Sequence, residues 1–425
     1  MSLDKTKLVG QGLDGANNMS GNTAGLCTLV KSRISEKAIY VHCYAHRLNL
    51  ALENACGKIR SCSEIIKTAQ ELHSYVEGSA KRHHLFQHIQ NPESKTTLKK
   101  LCETRWDHRH NSFKAIKKSL PSLLTFLKIQ DDETTAACSV KASVLLDKIQ
   151  NFTFIFYLEL LNSCFEVINI LSQALQKTDV DIMNAQRFYK DVVNQLNDMK
   201  TDENYDIFYS KLILKAHVNN IEDETKHGKK RGRKATFELT KSDEYKEKYS
   251  LVIETLVNEL NFRFKDENIK PLVVIQKIIT NISYDKDISI RNELHIYKDE
   301  IDFDKLDEEL NIWYRYKLSN PNEFGTKKIN ILSQQFSNCD LSEHLNEIHK
   351  LFLIYLCVPV TSATGERSFS TLKLLKTYIR NSMKQDRLSD LAVLYTNTDL
   401  LNKISLEDII DKFAREKSRR MKFCN

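Results

Sequence analysis

Glycine and proline are scarce in this sequence, with 11 and 5 residues among 425. All-β architectures need more turn-forming residues than that, so we expect a mostly helical protein. No Cys-x-x-Cys pair occurs among the ten cysteines, which argues against a four-cysteine zinc module and favours the reduced thiols of an intracellular protein. The most apolar stretch, residues 152–175, is interrupted by Glu159, Asn162 and Glu166. It therefore predicts a buried helix and no membrane partner.

Charge is nearly balanced, with 63 Lys and Arg against 56 Asp and Glu, a net of +7. This excess permits a nucleic-acid partner without requiring one, because binding depends on how charges cluster. One cluster is evident in the linker 222–236, which contains Lys229, Lys230, Arg231 and Arg233. We expect this linker to be exposed. It is typical of a nuclear-localisation or DNA-backbone segment, and equally of a solvated loop.

The first 60 residues show an α/β pattern, whereas the rest of the chain is helical in pattern. The apolar run 7–9 precedes several glycines and predicts a strand that ends in a flexible loop. A second run, residues 38–41, predicts another strand, and Leu48 and Leu52 begin a helix. From about residue 62 onward, apolar residues recur mainly at helical spacing.

Two segments near these strands contain candidate functional residues. Asp14 follows the first predicted strand and precedes small residues, an arrangement that can present a carboxylate to a metal and a phosphate. Taken alone, an ordinary turn aspartate is the commoner interpretation. Cys43 and His46 are three positions apart at a strand-to-helix junction, where they could form half of a zinc site. Since no further pair of ligands follows at a zinc-site spacing, the sequence does not favour zinc.

Two more segments follow further along the chain. Arg105 and Trp106 are adjacent, and such a pair can clamp a phosphate and stack on an unpaired base. Alone, they fit a cation–π pair or a core tryptophan equally well. Glu366 lies in the first turn of a predicted helix, where a lone glutamate usually only complements the helix dipole.

In this order and at these spacings, the four segments together resemble the hAT transposase superfamily over nearly the whole chain. The stretch 39–50 is similar to the animal branch that includes zinc-finger MYM-type proteins. The resemblance implies that Asp14 and Glu366 are the second and third acids of an Asp-Asp-Glu triad that holds Mg²⁺ or Mn²⁺. It also implies that Cys43, His46, Arg105, Trp106 and the basic linker contact DNA, and that Asp14 and Glu366 meet in space.

The first acid of such a triad lies well upstream of Asp14 in the family, and only thirteen residues precede Asp14 here. We therefore expect an N-terminally truncated, RNase H-like core that is inactive on its own as a DNA transposase.

The fold class that we predict is α+β, mostly α, with a partial RNase H-like core interrupted by a large helical insertion. The predicted domains are the partial core (1–106), the insertion (107–305), the hAT C-terminal dimerisation region (306–400), and a last helix with a basic tail (401–425). The predicted function is that of a hAT transposase-like, DNA-associated nuclear protein that forms homodimers or larger homo-oligomers. Two alternatives stay open: a domesticated, non-enzymatic transcriptional regulator or scaffold, and a zinc-binding module around Cys43 and His46.

Overall fold

The computed structural model describes most of the chain. Its described residues are 4–21, 23–101, 106–133, 136–177, 180–222, 241–265, 269–281, 290–326, 328–362, 365, 369, 372–377 and 382–416. The chain divides into two compact units, residues 1–361 and 362–425. Helices dominate, and the described residues contain one short sheet, which confirms the mostly helical class. The predicted domain boundaries at residues 106, 305 and 400 stay predictions.

The sheet consists of two parallel strands, β1 (Gly10–Leu13) and β2 (Ile39–His42), with Gly10 opposite Ile39 and Leu13 opposite His42. Two helices, α1 (Asn17–Ser20) and α2 (Leu26–Arg33), connect the strands and complete a βαβ unit. The buried Gln11 amide ties this unit together by donating to the carbonyl oxygens of Cys27 and Ala38. The sheet thus directs the residues that follow both strands toward one edge.

The predicted position of the first strand was wrong, whereas the second was confirmed. Residues 5–7 form a 3₁₀ turn, and β1 runs through the glycines at 10 and 12. The reason is close packing against the segment 358–361. A Cβ atom built on Gly10 would lie 2.7 Å from Val358, and one on Gly12 would lie 2.5 Å from Pro359. Both glycines therefore lie inside the strand, at positions where the packed segment leaves no room for a larger residue.

Helices build the rest of the first unit. They are α3 (Tyr44–Lys58), α4 (Arg60–Glu77), α5 (Ala80–Ile89), α6 (Trp106–Glu133), α7 (Ala136–Ile149), α8 (Phe152–Leu175), α9 (Ile182–Asp198), α10 (Asp202–Val218), α11 (Lys241–Phe264), α12 (Lys270–Thr280), α13 (Ile290–Glu293), α14 (Phe303–Ser319), α15 (Pro321–Phe324), α16 (Ile329–Asn338), α17 (Leu341–His344) and α18 (Asn346–Cys357).

Helix α8 is the central core helix of this bundle, as its apolar sequence predicts. By length and composition it is also the one described helix that could cross a membrane, but 72% of its most apolar window is buried inside the bundle. Several of its polar side chains have partners within the bundle. Glu159 forms ion pairs with Lys117, at 2.9 Å, and with Lys215. The buried Asn162 amide donates to Glu166 at 2.9 Å. These contacts are typical of a core helix.

Helix α3 packs along α11, although almost 200 residues separate them in sequence. The buried Tyr44 ring meets Phe264 edge-on, with 5.4 Å between ring centroids, and its hydroxyl accepts a hydrogen bond from Gln186 of α9 at 2.9 Å. Lys58 pairs with the buried Glu259 at 2.5 Å. This pairing holds the start of α3 rigidly beside the end of α11.

A second aromatic core lies in the region of α14 to α18. Trp313 is fully buried, and its ring meets Phe324, Phe336 and Phe352 edge-on at 5.3–6.2 Å. The apolar segment 348–360 supplies much of this core. Most of its apolar side chains are consequently used within one molecule.

The second unit contains three further described helices: α19 (Gln385–Thr396), α20 (Thr398–Leu401) and α21 (Leu406–Glu416). The predicted last helix is therefore present, and the Ser405 hydroxyl accepts from the Asp408 amide at 3.5 Å at its start. This unit exposes many apolar side chains. Val393 and Leu406 have exposed fractions of 61% and 73%, and no described side chain of α21 is buried.

Candidate functional site

The structure brings three of the sequence-predicted site residues together at the carboxyl ends of β1 and β2. Asp14 follows β1 directly, and Cys43 follows β2. The Cys43 amide donates to the Leu13 carbonyl oxygen at 2.9 Å, which extends the parallel pairing by one residue. His46 lies one turn further along α3. Since the carboxyl ends of parallel strands meet at one edge of a sheet, these residues share one region of the surface.

Asp14 presents its carboxylate to solvent. One carboxylate oxygen accepts from the Ala16 amide at 3.2 Å, and the Tyr40 hydroxyl donates to the Asp14 carbonyl oxygen at 3.2 Å. The next residue, Gly15, lies against the His42 ring, where a Cβ atom would come within 2.3 Å of His42 Cε1. Glycine at this position therefore allows the Asp14 loop to close over His42.

Cys43 and His46 have different surroundings. The Cys43 side chain is buried, and its Sγ lies 3.6 Å from the Thr361 hydroxyl. The His46 ring is half-buried and tilts against His42, with 5.5 Å between ring centroids. The Cys43 thiol thus contacts the 358–361 segment, while His46 packs on the β2 terminus.

The segment 358–361 forms one wall of the site. The Val360 carbonyl oxygen accepts from the Tyr44 amide at 3.2 Å, and Pro359 packs on Gly12. Residues more than 300 positions apart therefore meet within the first unit. Glu366 lies outside the described residues, so its predicted meeting with Asp14 stays a prediction.

Positive charge surrounds His42. Burial, together with Arg47, His46 and Arg263, lowers the pKa of His42 to about 4, against a smaller opposing effect from Asp14. Arg47 is buried, and its Nη1 donates to the Arg263 carbonyl oxygen at 3.1 Å. Two arginines and a second histidine are thus grouped around a neutral His42 beside one exposed carboxylate.

Sequence reasoning missed His42, Arg47 and Arg263 as members of this group. His42 and Arg47 flank the Cys43–His46 motif, and their position beside it was a usable signal. Arg263 ends a helix more than 200 residues away, so no local pattern indicates it. Of the other predicted residues, Trp106 is the first residue of α6, and its side chain is not described. Arg105 and the four residues of the basic linker lie outside the described residues.

The described residues of this site supply few ligands for a metal ion. In the described part of the chain, no group of three or more His, Cys, Asp and Glu side chains could hold a metal ion. Asp14 supplies one exposed carboxylate, which suits a hard cation such as Mg²⁺. The neighbouring arginines repel an additional cation, however. These residues alone do not form a complete metal site, and the predicted Mg²⁺ or Mn²⁺ centre depends on Glu366.

Comparison with known proteins agrees with the resemblance seen in the sequence. Residues 293–400 match the family model of the hAT family C-terminal dimerisation region. Over 91% of its length, the chain is 24% identical to a Homo sapiens protein named 52 kDa repressor of the inhibitor of the protein kinase. The Mus musculus protein of the same name is also 24% identical over 91% of the chain.

The chain spans about half the length of these curated relatives, 53% in each case. The matched dimerisation region begins at α13 and ends within α20. Two independent similarities, one to a region and one over most of the chain, therefore agree. Residues 293–400 of this chain match the hAT family C-terminal dimerisation region, within a sequence that is similar to the 52 kDa repressor over 91% of its length.

Proposed function

We propose that this protein is a hAT transposase-derived, DNA-associated nuclear protein that self-associates through its C-terminal third. The match of residues 293–400 to the hAT dimerisation region is the observation that carries this proposal. The exposed apolar side chains of α19 and α20, such as Val393 and Leu400, support it, because exposed apolar patches commonly mark protein interfaces.

We also propose that residues 1–106 with the segment around Glu366 derive from an RNase H-like catalytic core. The support is the βαβ unit, in which Asp14 follows one parallel strand and Cys43 follows its neighbour. In this proposal Asp14 and Glu366 are the carboxylates that would hold Mg²⁺ or Mn²⁺. Two such ions activate an attacking oxygen and stabilise a leaving one. His46, Arg105 and Trp106 would bind the DNA strand beside them.

The main alternative is a non-enzymatic transcriptional regulator or scaffold, and the relatives' name, which describes a repressor, favours it. The two can be separated by metal-dependent DNA nicking. The catalytic alternative requires nicking that is lost in both Asp14→Asn and Glu366→Gln, whereas a scaffold binds DNA equally well with either substitution.

DNA association is tested directly with the basic linker. Replacing Lys229, Lys230, Arg231 and Arg233 by Gln should weaken non-specific DNA binding and flatten its salt dependence. The melting temperature should hardly change, because a solvated loop contributes little to stability. Fluorescence anisotropy and calorimetry measure both quantities. A large loss of stability with unchanged DNA binding would contradict the proposed role.

Nuclear localisation is tested by fusing residues 222–236 to a fluorescent protein. We expect the fusion to accumulate in the nucleus and the four-Gln variant to stay evenly distributed. Equal distribution of both fusions would remove the linker as the localisation signal.

A further inference from the structure

The end of α11 brings positive charge without a matching acid to the candidate site. Within the described part of the chain, the Arg263 guanidinium makes no hydrogen bond or ion pair, and its Nε is buried. Arg47 lies beside it, since its Nη1 donates to the Arg263 carbonyl oxygen. Burial is the main cause of the lowered pKa of His42, and Arg47, His46 and Arg263 lower it further. The Arg263 guanidinium is therefore able to bind an anion.

A second group of cations lines a cavity of about 790 Å³ between α9, α11 and α12. Four lysines line it: Lys190, Lys265, Lys270 and Lys277. Among the described residues that line the cavity, Glu293 is the one acid, and none of the four lysines forms an ion pair with a described residue. The whole chain has 63 basic and 56 acidic residues, so a ratio of four to one is a strong local concentration.

The two groups share one wall. Phe264, the neighbour of Arg263, meets Tyr44 of the candidate site edge-on at 5.4 Å. The same ring stacks on Tyr189 at 4.8 Å, with 3° between the planes, and both rings line the lysine cavity. Tyr44 and Phe264 are both buried, so this contact joins the two groups through the core. Along the chain, Arg263 lies two residues before the cavity lysine Lys265.

We propose that Arg263 and the four cavity lysines form a track for the phosphate backbone of a nucleic-acid strand along the end of α11. The proposal rests on the DNA association proposed above and adds the surface that performs it. A polyanion gains affinity by neutralising grouped lysines and releasing counterions. The cavity is concave, and Lys277 is half-buried in its wall. This shape favours contact with a strand over contact with a flat anionic membrane.

The test is the salt dependence of DNA binding by the full chain. A variant with Gln at positions 190, 265, 270 and 277 loses four cations. Each phosphate contact contributes about 0.9 to the slope of log affinity against log salt for duplex DNA, so the slope should shrink by roughly 3 to 4. The matched control replaces Lys81, Lys114, Lys118 and Lys128 by Gln. These lysines are exposed on α5 and α6 and form no ion pair in the described part of the chain. The control should leave the slope nearly unchanged.

Arg263→Gln provides a second readout. The substitution should reduce the slope by about one phosphate contact. It should also raise the pKa of His42, because one of the cations that lower it is removed, and histidine-selective NMR measures this change. DNA added to the unsubstituted chain should raise the pKa of His42 in the same direction.

The possible outcomes separate this inference from the proposed function. If the chain binds DNA and only the 229–233 variant changes the slope, the track is wrong and DNA association stands. If the chain binds no DNA, the proposed function fails. Binding instead to phosphatidylserine vesicles, lost in the variant of the four cavity lysines, would identify the cavity as a membrane contact and overturn the inference.

Discussion

Individual residues at the candidate site are determined by close contact. Gly12 and Gly15 have ordinary negative φ angles, since no described glycine has a positive one. Their requirement is space: Pro359 lies over Gly12, and the His42 ring lies over Gly15. These glycines are therefore required by tertiary packing. Their spacing in the sequence first indicated a flexible loop instead.

Gly12→Ala should destabilise the first unit by about 1–3 kcal/mol, the usual range for overpacking. The added Cβ would lie 2.5 Å from Pro359 Cγ. Gly57→Ala is the control, because nothing lies within 4 Å of its Cβ position in α3. There the substitution should be neutral or stabilising by up to ~1 kcal/mol, since alanine favours helices. Calorimetry compares the two, and equal melting temperatures would contradict the packing argument.

His42 predicts a pH dependence of stability. Its pKa is about 4 in the fold and about 6.5 in the unfolded chain, so the unfolded state binds more protons between these values. Stability contributed by neutral His42 is therefore fully present above about pH 6.5 and is lost as pH falls toward 4. The melting temperature of His42→Gln should fall less steeply over this window than that of the unsubstituted protein. Parallel curves would show that His42 is not responsible.

At the scale of elements, the sequence predicted the features that local patterns determine and missed those that distant contacts determine. Strand β2 and helix α3 follow their own apolar periodicity, so residues 38–41 and Leu48 located them correctly. The apolar run 38–41 also placed Cys43 at the end of β2, where it lies beside the end of β1. Strand β1 was displaced by three residues because its glycines serve a distant partner. Arg263 could not be found at all, because α11 joins α3 only through tertiary packing.

The pairing of α3 with α9 and α11 predicts a measurable coupling. Gln186 donates to the buried Tyr44 hydroxyl at 2.9 Å. A double-mutant cycle with Tyr44→Phe and Gln186→Met should give an interaction energy of about 1 kcal/mol, as is usual for one hydrogen bond. Chemical denaturation of the four proteins measures it. Additive effects of the two substitutions would mean that this bond contributes nothing to the pairing.

At the scale of the whole molecule, the apolar residues fall into two classes. The segment 348–360 is densely apolar, and most of its apolar side chains fill the core around Trp313. Exposed apolar side chains occur elsewhere in the matched region, from Ile312 and Leu318 of α14 to Val393 and Leu400 of α19 and α20. Self-association is therefore better sought there than at residues 348–360.

Val393→Glu combined with Leu394→Glu should weaken self-association at least tenfold, which corresponds to about 1.4 kcal/mol. These side chains have exposed fractions of 61% and 47% within the matched region. The control is Leu214→Glu with Val218→Glu, whose exposed fractions are 67% and 78% outside that region. Light scattering at increasing concentration should show a lower mass for the first variant only. A similar decrease in both would indicate non-specific aggregation.

The contact between Gly12 and Pro359 also has a consequence for synthesis on the ribosome. Pro359 follows Gly12 by 347 positions, and chains elongate at about 5–20 residues per second. The βαβ unit therefore emerges roughly 20–70 s before the wall that covers it, and α3 also waits for α11. During that interval its apolar surface is uncovered, so the nascent chain should depend on chaperones until the last third has been made.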